Sequence, residues 1–462
     1  MRKSLGAWVL VLGTACAHVP EKPPKPVAGT SESAQALLDR AEAAYKARDY
    51  PGCAGLYLQR EGRCEDDDCR AESLYEAASC TALAGQPPQA LELVKGAVQR
   101  GYFNADHLRL DPELSSLHAL PGWGEVLAGV QANRDKAEYP PMPVPVLMAV
   151  DTYGSRRVDA KAVRELLGLE TGKPFVHSKA LFQDKEAELK KRYGLAWAEV
   201  SMSYWLDSPT EARAYITADL VDAGDTARLK FLPPPSGHPE DPQGLVARWR
   251  EYEVKGFEFL QKGELNREKD VSCRVAHCLW GFDHPELAPF EVLFVQKVPG
   301  LKDAVVKVLR EDANVDSRAA AAFLLAYAGT PEEVVARLVP FIRDPDSGVR
   351  NNVLRVLTAL QEVADRPLVD VAVVVDALSM PSWTDRNKSL YLLQYLLEDT
   401  KPEALKAQRA SLIRQLGAPL VTLAQFEQPN IREPAVDILK RLSGEAHDAP
   451  EQWKAWLSRQ QP

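Results

Sequence analysis

No glycine-rich phosphate loop, Walker lysine, nucleophile elbow or HExxH helix occurs anywhere in the 462 residues. The common sequence signatures of nucleotide-dependent, serine-hydrolase and zinc-protease chemistry are therefore missing. Histidine is scarce (eight) and scattered, and the five methionines form no groove. After the first fifteen residues no run is apolar enough for a membrane helix, which needs about 20 residues. Basic residues are outnumbered, with 56 Lys and Arg against 65 Asp and Glu. That balance argues against nucleic acid as a partner and against electrostatic attachment to anionic lipid. What remains is an ordinary soluble composition, 45% hydrophobic and 26% charged. The length suits about three domains rather than one core.

The chain starts with charge (Arg2, Lys3), then a short apolar run (Leu5–Leu12), then small residues before Cys16. Residues 1–15 have the order of a secretory signal. The stretch "LGTAC" resembles the lipobox of bacterial lipoproteins, which implies a lipid on Cys16 and attachment to a membrane through it. Ala17 in place of Asp implies, in that family, the periplasmic side of the outer membrane. Residues 16–33, with "EKPPKPVAGTSES", read as anchor and disordered tether. Loss of Arg2 and Lys3 takes the net charge from −9 to −11. Six cysteines are then left for an oxidising compartment, and an even number suggests disulfides. Cys53, Cys64, Cys69 and Cys80 lie close enough for nested or sequential pairing, which the sequence leaves open. Cys273 and Cys278 stand apart as a local pair.

Residues 34–135 carry two helical hairpins, "AEAAYKARDYPGCAGLYLQ" and "SLYEAASCTALAGQPPQALELVKGAV", with Ala54 and Ala90 at equivalent crossing points. They resemble tetratricopeptide repeats, with the extra residues in the acidic insert "EGRCEDDDCR" and Trp123 and Leu127 closing the stack. Past "EYPPMPVPV" the periodicity changes to strand, two helices, strand, strand over residues 146–223. The order, with Gly172 between the helices, resembles a POTRA domain. That resemblance implies a module that adds partner strands to its open sheet edge. No β-barrel follows it, unlike the family. Residues 224–243 ("FLPPPSGHPEDPQG") read as a second linker.

Residues 244–460 read as helix after helix, beginning with one amphipathic helix over Leu245–Leu265 with Trp249, Tyr252, Phe257 and Leu260 inward. Four later units each join a polar turn, an arginine (Arg318, Arg350, Arg386, Arg432) and an apolar helix. They resemble HEAT repeats, which stack into a solenoid because no unit covers its apolar face alone. In that family Asp and Arg of successive repeats form a ladder, and Asp344 and Arg350 match it best. Trp453 and Trp456 are placed to cap the end. The fold class is thus mainly α, an α-solenoid, with a small α+β middle domain of βααββ order.

One cluster carries ligand-type chemistry: Cys273, His277, Cys278 and His284, the right donors for zinc at a spacing of no known finger. A zinc-dependent enzyme or metal-binding protein using that cluster is the competing reading. The leading expectation is a non-enzymatic, periplasm-facing lipoprotein scaffold that binds protein and needs no cofactor, with partners held on the concave solenoid faces and the sheet edge.

Overall fold

In the computed structural model, the structure describes residues 10–12, 32–265, 273–275, 277–447 and 449–460. The signal at 1–15, Cys16 and the tether at 16–33 lie outside the described residues, save Leu10–Leu12 and residues 32–33. The chain is mainly α, with one small mixed sheet.

The N-terminal part comprises α1 (Ala34–Lys46), α2 (Tyr50–Glu61), α3 (Asp67–Leu83), α4 (Pro87–Gln99), α5 (Ala105–Leu110) and α6 (Trp123–Arg134). Ser33, Asp49 and Asp66 start the first three helices by accepting backbone N–H bonds that the helix cannot satisfy itself. Ala41, Ala77, Ala78 and Ala90 are fully enclosed, so successive helices approach closely. Disulfides Cys53–Cys80 and Cys64–Cys69 tie α2 and the insert to α3. Trp123 packs under α4 from α6.

The middle part runs β2 (Val146–Tyr153), α7 (Ala160–Leu167), α8 (Lys179–Tyr193), β3 (Leu195–Ser208) and β4 (Glu211–Asp222). Central β4 pairs parallel with β2 and antiparallel with β3. Asp159 and Ser178 cap the two helices at their starts, and Gly168 and Gly194 end them at φ +66° and +65°. Those helices cover one face of the sheet, enclosing Leu147, Val163, Phe182, Leu189, Val200 and Ile216. Along the outer edge of β3 the backbone of Leu10–Leu12 (β1) lies antiparallel, opposite Met202–Tyr204.

The C-terminal part holds α9 (Leu245–Gln261), α10 (Ala288–Glu311), α11 (Val315–Leu324), α12 (Pro331–Leu338), α13 (Ser347–Val363), α14 (Val371–Leu378), α15 (Trp383–Asp399), α16 (Pro402–Leu423), α17 (Pro429–Ser443) and α18 (Pro450–Gln460). One core runs through all of it, from Leu245 to Trp456. α9 is shorter than its sequence pattern predicts. Trp249 and Tyr252 are enclosed, but Phe259 takes the deep position expected of Phe257, because the inward stripe advances by seven from Tyr252. Trp453 and Trp456 are buried at the far end.

Residues 224–243 are a strap laid across the repeat turns. Arg228 Nε donates to Ser379 O at 3.0 Å, and Lys230 pairs with Asp376. Leu232 N reaches Arg343 O at 2.7 Å, and Gly237 N reaches Glu311 O at 2.8 Å. A Cβ at Gly237 would lie 2.7 Å from that carbonyl oxygen, so only glycine fits without a backbone shift. The strap thus runs backwards along the stack, from the third repeat to the first.

Candidate functional site

The sheet's second face is polar, and it too is buried. Its cross-strand rows are Tyr153–Asp219–Glu199 and Asp151–Thr217–Ser201, and they pack on the starts of the solenoid's inner helices. The alternation along β3 and β4 that would mark a wet face marks an internal seam instead.

The seam is built on arginines. Arg318 on α11 grips Asp344, ahead of the next inner helix, through Nε and Nη2 at 3.0 Å each. Arg350 on α13 grips Asp385 on α15 through Nε and Nη2 at 2.9 Å each. Both arginines also donate Nη1 to the carbonyls five and six residues back: Arg318 to Asp312 and Ala313, Arg350 to Asp344 and Pro345. Each guanidinium therefore fixes its own turn and the next repeat together, which a lysine could not do. All four side chains are almost wholly enclosed.

Arg386 departs from the ladder. It reaches its own turn at Met380 O, 3.4 Å away, but the fourth repeat offers Phe426 and Ile431 where acids would stand. Its counter-charge is Asp219 of β4, with both side chains fully enclosed. The guanidinium also lies 4.2 Å over the Tyr153 ring, and Arg350 lies 4.8 Å over Phe231 of the strap. Arg432 leaves the ladder altogether and sits 3.8 Å from exposed Glu427.

The fourth repeat is held by Asp151 on β2. Its carboxylate accepts the backbone N–H of Glu427 and Gln428 at 3.1 Å each, capping the start of α17 from another part of the chain. Thr217 Oγ1 donates to Gln428 Oε1 at 3.0 Å. Burial raises the Asp151 carboxyl to about 6 despite those bonds. Glu199 faces Asp219 directly across the β3–β4 pair. Burial first, then that neighbouring carboxylate, pushes Glu199 well above the usual carboxyl range. Asp385 is also raised by burial, and Arg350 pulls against the rise.

The N-terminal helices join both other parts. Tyr45 donates to Glu113, which also accepts from Ser178 Oγ at 2.7 Å, and Ala180 N donates to Tyr45 Oη at 3.0 Å. Arg250 of α9 holds Asp39 of α1, with Nη1 to Oδ2 at 2.7 Å. A cleft of about 270 Å³ lies where α1, α9 and α11 meet.

The zinc reading meets a chemical obstacle. Cys273 and Cys278 are bridged to each other, so neither offers a thiolate. His277 is stacked on Phe323, while His284 packs on Phe259 beside Glu264. Among the described residues no three His, Cys, Asp or Glu are grouped to hold a metal ion.

Sequence reasoning found the four arginines and missed Asp385, Asp219, Glu199, Asp151 and Gln428. Asp385 had a local signal, since "TDR" sets it next to Arg386. For Asp219 the signal was indirect: a polar residue on the second face of a strand, and a fourth repeat with Phe426 and Ile431 at the ladder's acid positions.

A family model described as HEAT repeats matches residues 303–394, from α10 to α15. No curated protein and no solved structure matches the chain. The C-terminal resemblance is thus supported over the repeats that carry Arg318, Arg350 and Arg386, and HEAT repeats commonly mediate protein–protein interaction.

Proposed function

We propose that the chain is a non-enzymatic scaffold for protein partners, lipid-anchored through Cys16 on the periplasmic side of a bacterial outer membrane and serving envelope assembly or secretion. The observation that carries the scaffold reading is a stack of HEAT repeats whose arginine-bearing face is already filled by the chain's own sheet. Partners then meet the surfaces left over. The outer edge of β3 is the first of these, because the backbone of Leu10–Leu12 lies antiparallel along it, as an added strand would. The lipobox resemblance and the six paired cysteines support an exported, anchored form.

A photo-crosslinker at exposed Leu206 on β3, with a second at Val363 on α13 for comparison, tests the edge in cells. A discrete adduct from Leu206 is the expected result. No adduct from either position removes the scaffold reading, and one from Val363 alone moves the partner to the solenoid. For the anchor, Cys16→Ser should release the protein from the membrane fraction; wild type already found soluble would contradict it.

A further inference from the structure

Between the sheet and the repeats, the seam encloses one acid more than its guanidiniums answer. We propose that docking of the sheet is proton-linked: the seam closes around a neutral Glu199 and weakens when that carboxyl ionises. The inference is independent of the scaffold reading.

The placement is geometric. Glu199 and Asp219 stand directly opposite each other on β3 and β4. Such a pair has its Cβ atoms about 4.5–5.5 Å apart, where like charges are destabilising. Asp219 is already paired with Arg386 of α15. Arg350 of α13 comes to the same place through the strap. Its guanidinium lies 4.8 Å over the Phe231 ring, and that ring packs 5.4 Å from Trp197, two residues before Glu199 and on the same strand face. The Arg350 guanidinium grips Asp385 of α15 at 2.9 Å. Three carboxyl groups, Glu199, Asp219 and Asp385, thus meet two guanidiniums at this point of the seam, and none of the five residues is more than 3% exposed. Glu199 Oε2 has no hydrogen-bond partner among the described residues. An enclosed carboxylate without a counter-charge of its own is relieved most readily by binding a proton.

The groups around Glu199 act in the same direction. Burial raises its carboxyl most, and Asp219 of β4 comes next. Arg350 of α13 pulls against the rise, while Glu186 of α8 and Asp385 of α15 add to it. Tyr153 of β2 ends the row with its ring 4.2 Å from the Arg386 guanidinium. At the rim, half-buried Arg228 of the strap donates Nε to Ser379 O at 3.0 Å and Nη1 to Leu220 O at 2.9 Å, both carbonyls rather than acids. In the unfolded chain Glu199 returns to its ordinary 4.5. The folded chain therefore keeps this proton to higher pH, so the stability it brings is full below about 4.5 and is lost as pH rises.

Urea unfolding of the full chain and of Glu199→Gln between pH 5 and 9 tests the link. The amide matches the neutral acid in size and cannot ionise, and Glu186 titrates in both chains and cancels. Relative to the variant, the wild-type unfolding constant should rise by about tenfold per pH unit from pH 5, levelling once folded Glu199 ionises. Asp219→Asn, which leaves Arg386 to answer Glu199, should by itself flatten the wild-type slope by about one proton. Independently of unfolding, the infrared band of neutral carboxyl groups at pH 6 should lose intensity in Glu199→Gln, with circular dichroism checking that each variant folds. A ratio between wild type and Glu199→Gln that stays constant or moves the other way overturns the proposal. So does an unchanged carboxyl band, or an Asp219→Asn chain that keeps the full wild-type slope.

Discussion

Arg386 is where one side chain does most to join the parts. It is fully enclosed, its acceptor belongs to a strand 167 positions earlier in the chain, and the next repeat sets Phe426 and Ile431 where the ladder's acid would stand. Removing one partner of a buried pair leaves the other charged in a medium that solvates it poorly, at about 3–5 kcal/mol. Asp219→Ala should therefore lower unfolding stability in urea by about 3 kcal/mol. Glu332→Ala, which removes an exposed partner of Arg366, should cost under about 1 kcal/mol. Equal costs would mean that the seam pair is not desolvated. A second residue, Glu186 on α8, carries a pH signature. Burial raises its carboxyl to about 7, although Val200 N donates to it at 2.7 Å. The folded chain therefore holds that proton to higher pH than the unfolded chain does. Stability from this group is full below about 4.5 and is lost as pH rises through 7. His177 and His277, held by burial to about 4 and 3, act with the opposite sign and cost stability as pH falls from 6.5. Melting temperatures of Glu186→Gln and wild type should thus diverge between pH 5 and 8, with the variant gaining at the alkaline end. A constant difference across that range would contradict the assignment.

Helices and strands were the legible part of this chain. Apolar spacing marked the repeats, and Asp159 and Ser178 marked where α7 and α8 begin, because caps are local chemistry between residues three or four apart. The inward turn of α9 was missed by one pair of positions, since Phe257 and Phe259 are both aromatic and the difference lies in how far the helix stripe has rotated. The strap at 224–243 read as a linker because prolines and charges look the same whether the backbone is free or pinned to Arg343 and Glu311. Contacts such as Asp219 with Arg386 leave no local trace at all. Disulfides also act at this level. Cys53–Cys80 closes a loop of 27 residues between α2 and α3, and Cys64–Cys69 closes one of five. Chain entropy makes the longer bridge worth about 3.5 kcal/mol and the shorter about 2 kcal/mol. Paired Cys→Ala variants should lower the melting temperature of the oxidised protein in that order. Unchanged melting after complete reduction would show the bridges unformed in the purified protein.

Taken whole, the molecule closes on itself. The N-terminal helices hold α8 and α9, the sheet fills the arginine-bearing face of the solenoid, and the strap pins the repeat turns from outside. Such a body presents fixed outer surfaces to partners rather than an open concave groove, which is where sequence alone would place them. The sheet and the repeats should then unfold together, since each satisfies charges and backbone groups of the other. Native-state hydrogen exchange of the intact chain, read on β2–β4, α15 and α17, tests this most directly. The expected result is one shared opening free energy across those elements, falling together in Asp219→Ala. Exchange of the sheet at its own lower free energy, with α15 and α17 unaffected by the substitution, would show two independent bodies and contradict the seam.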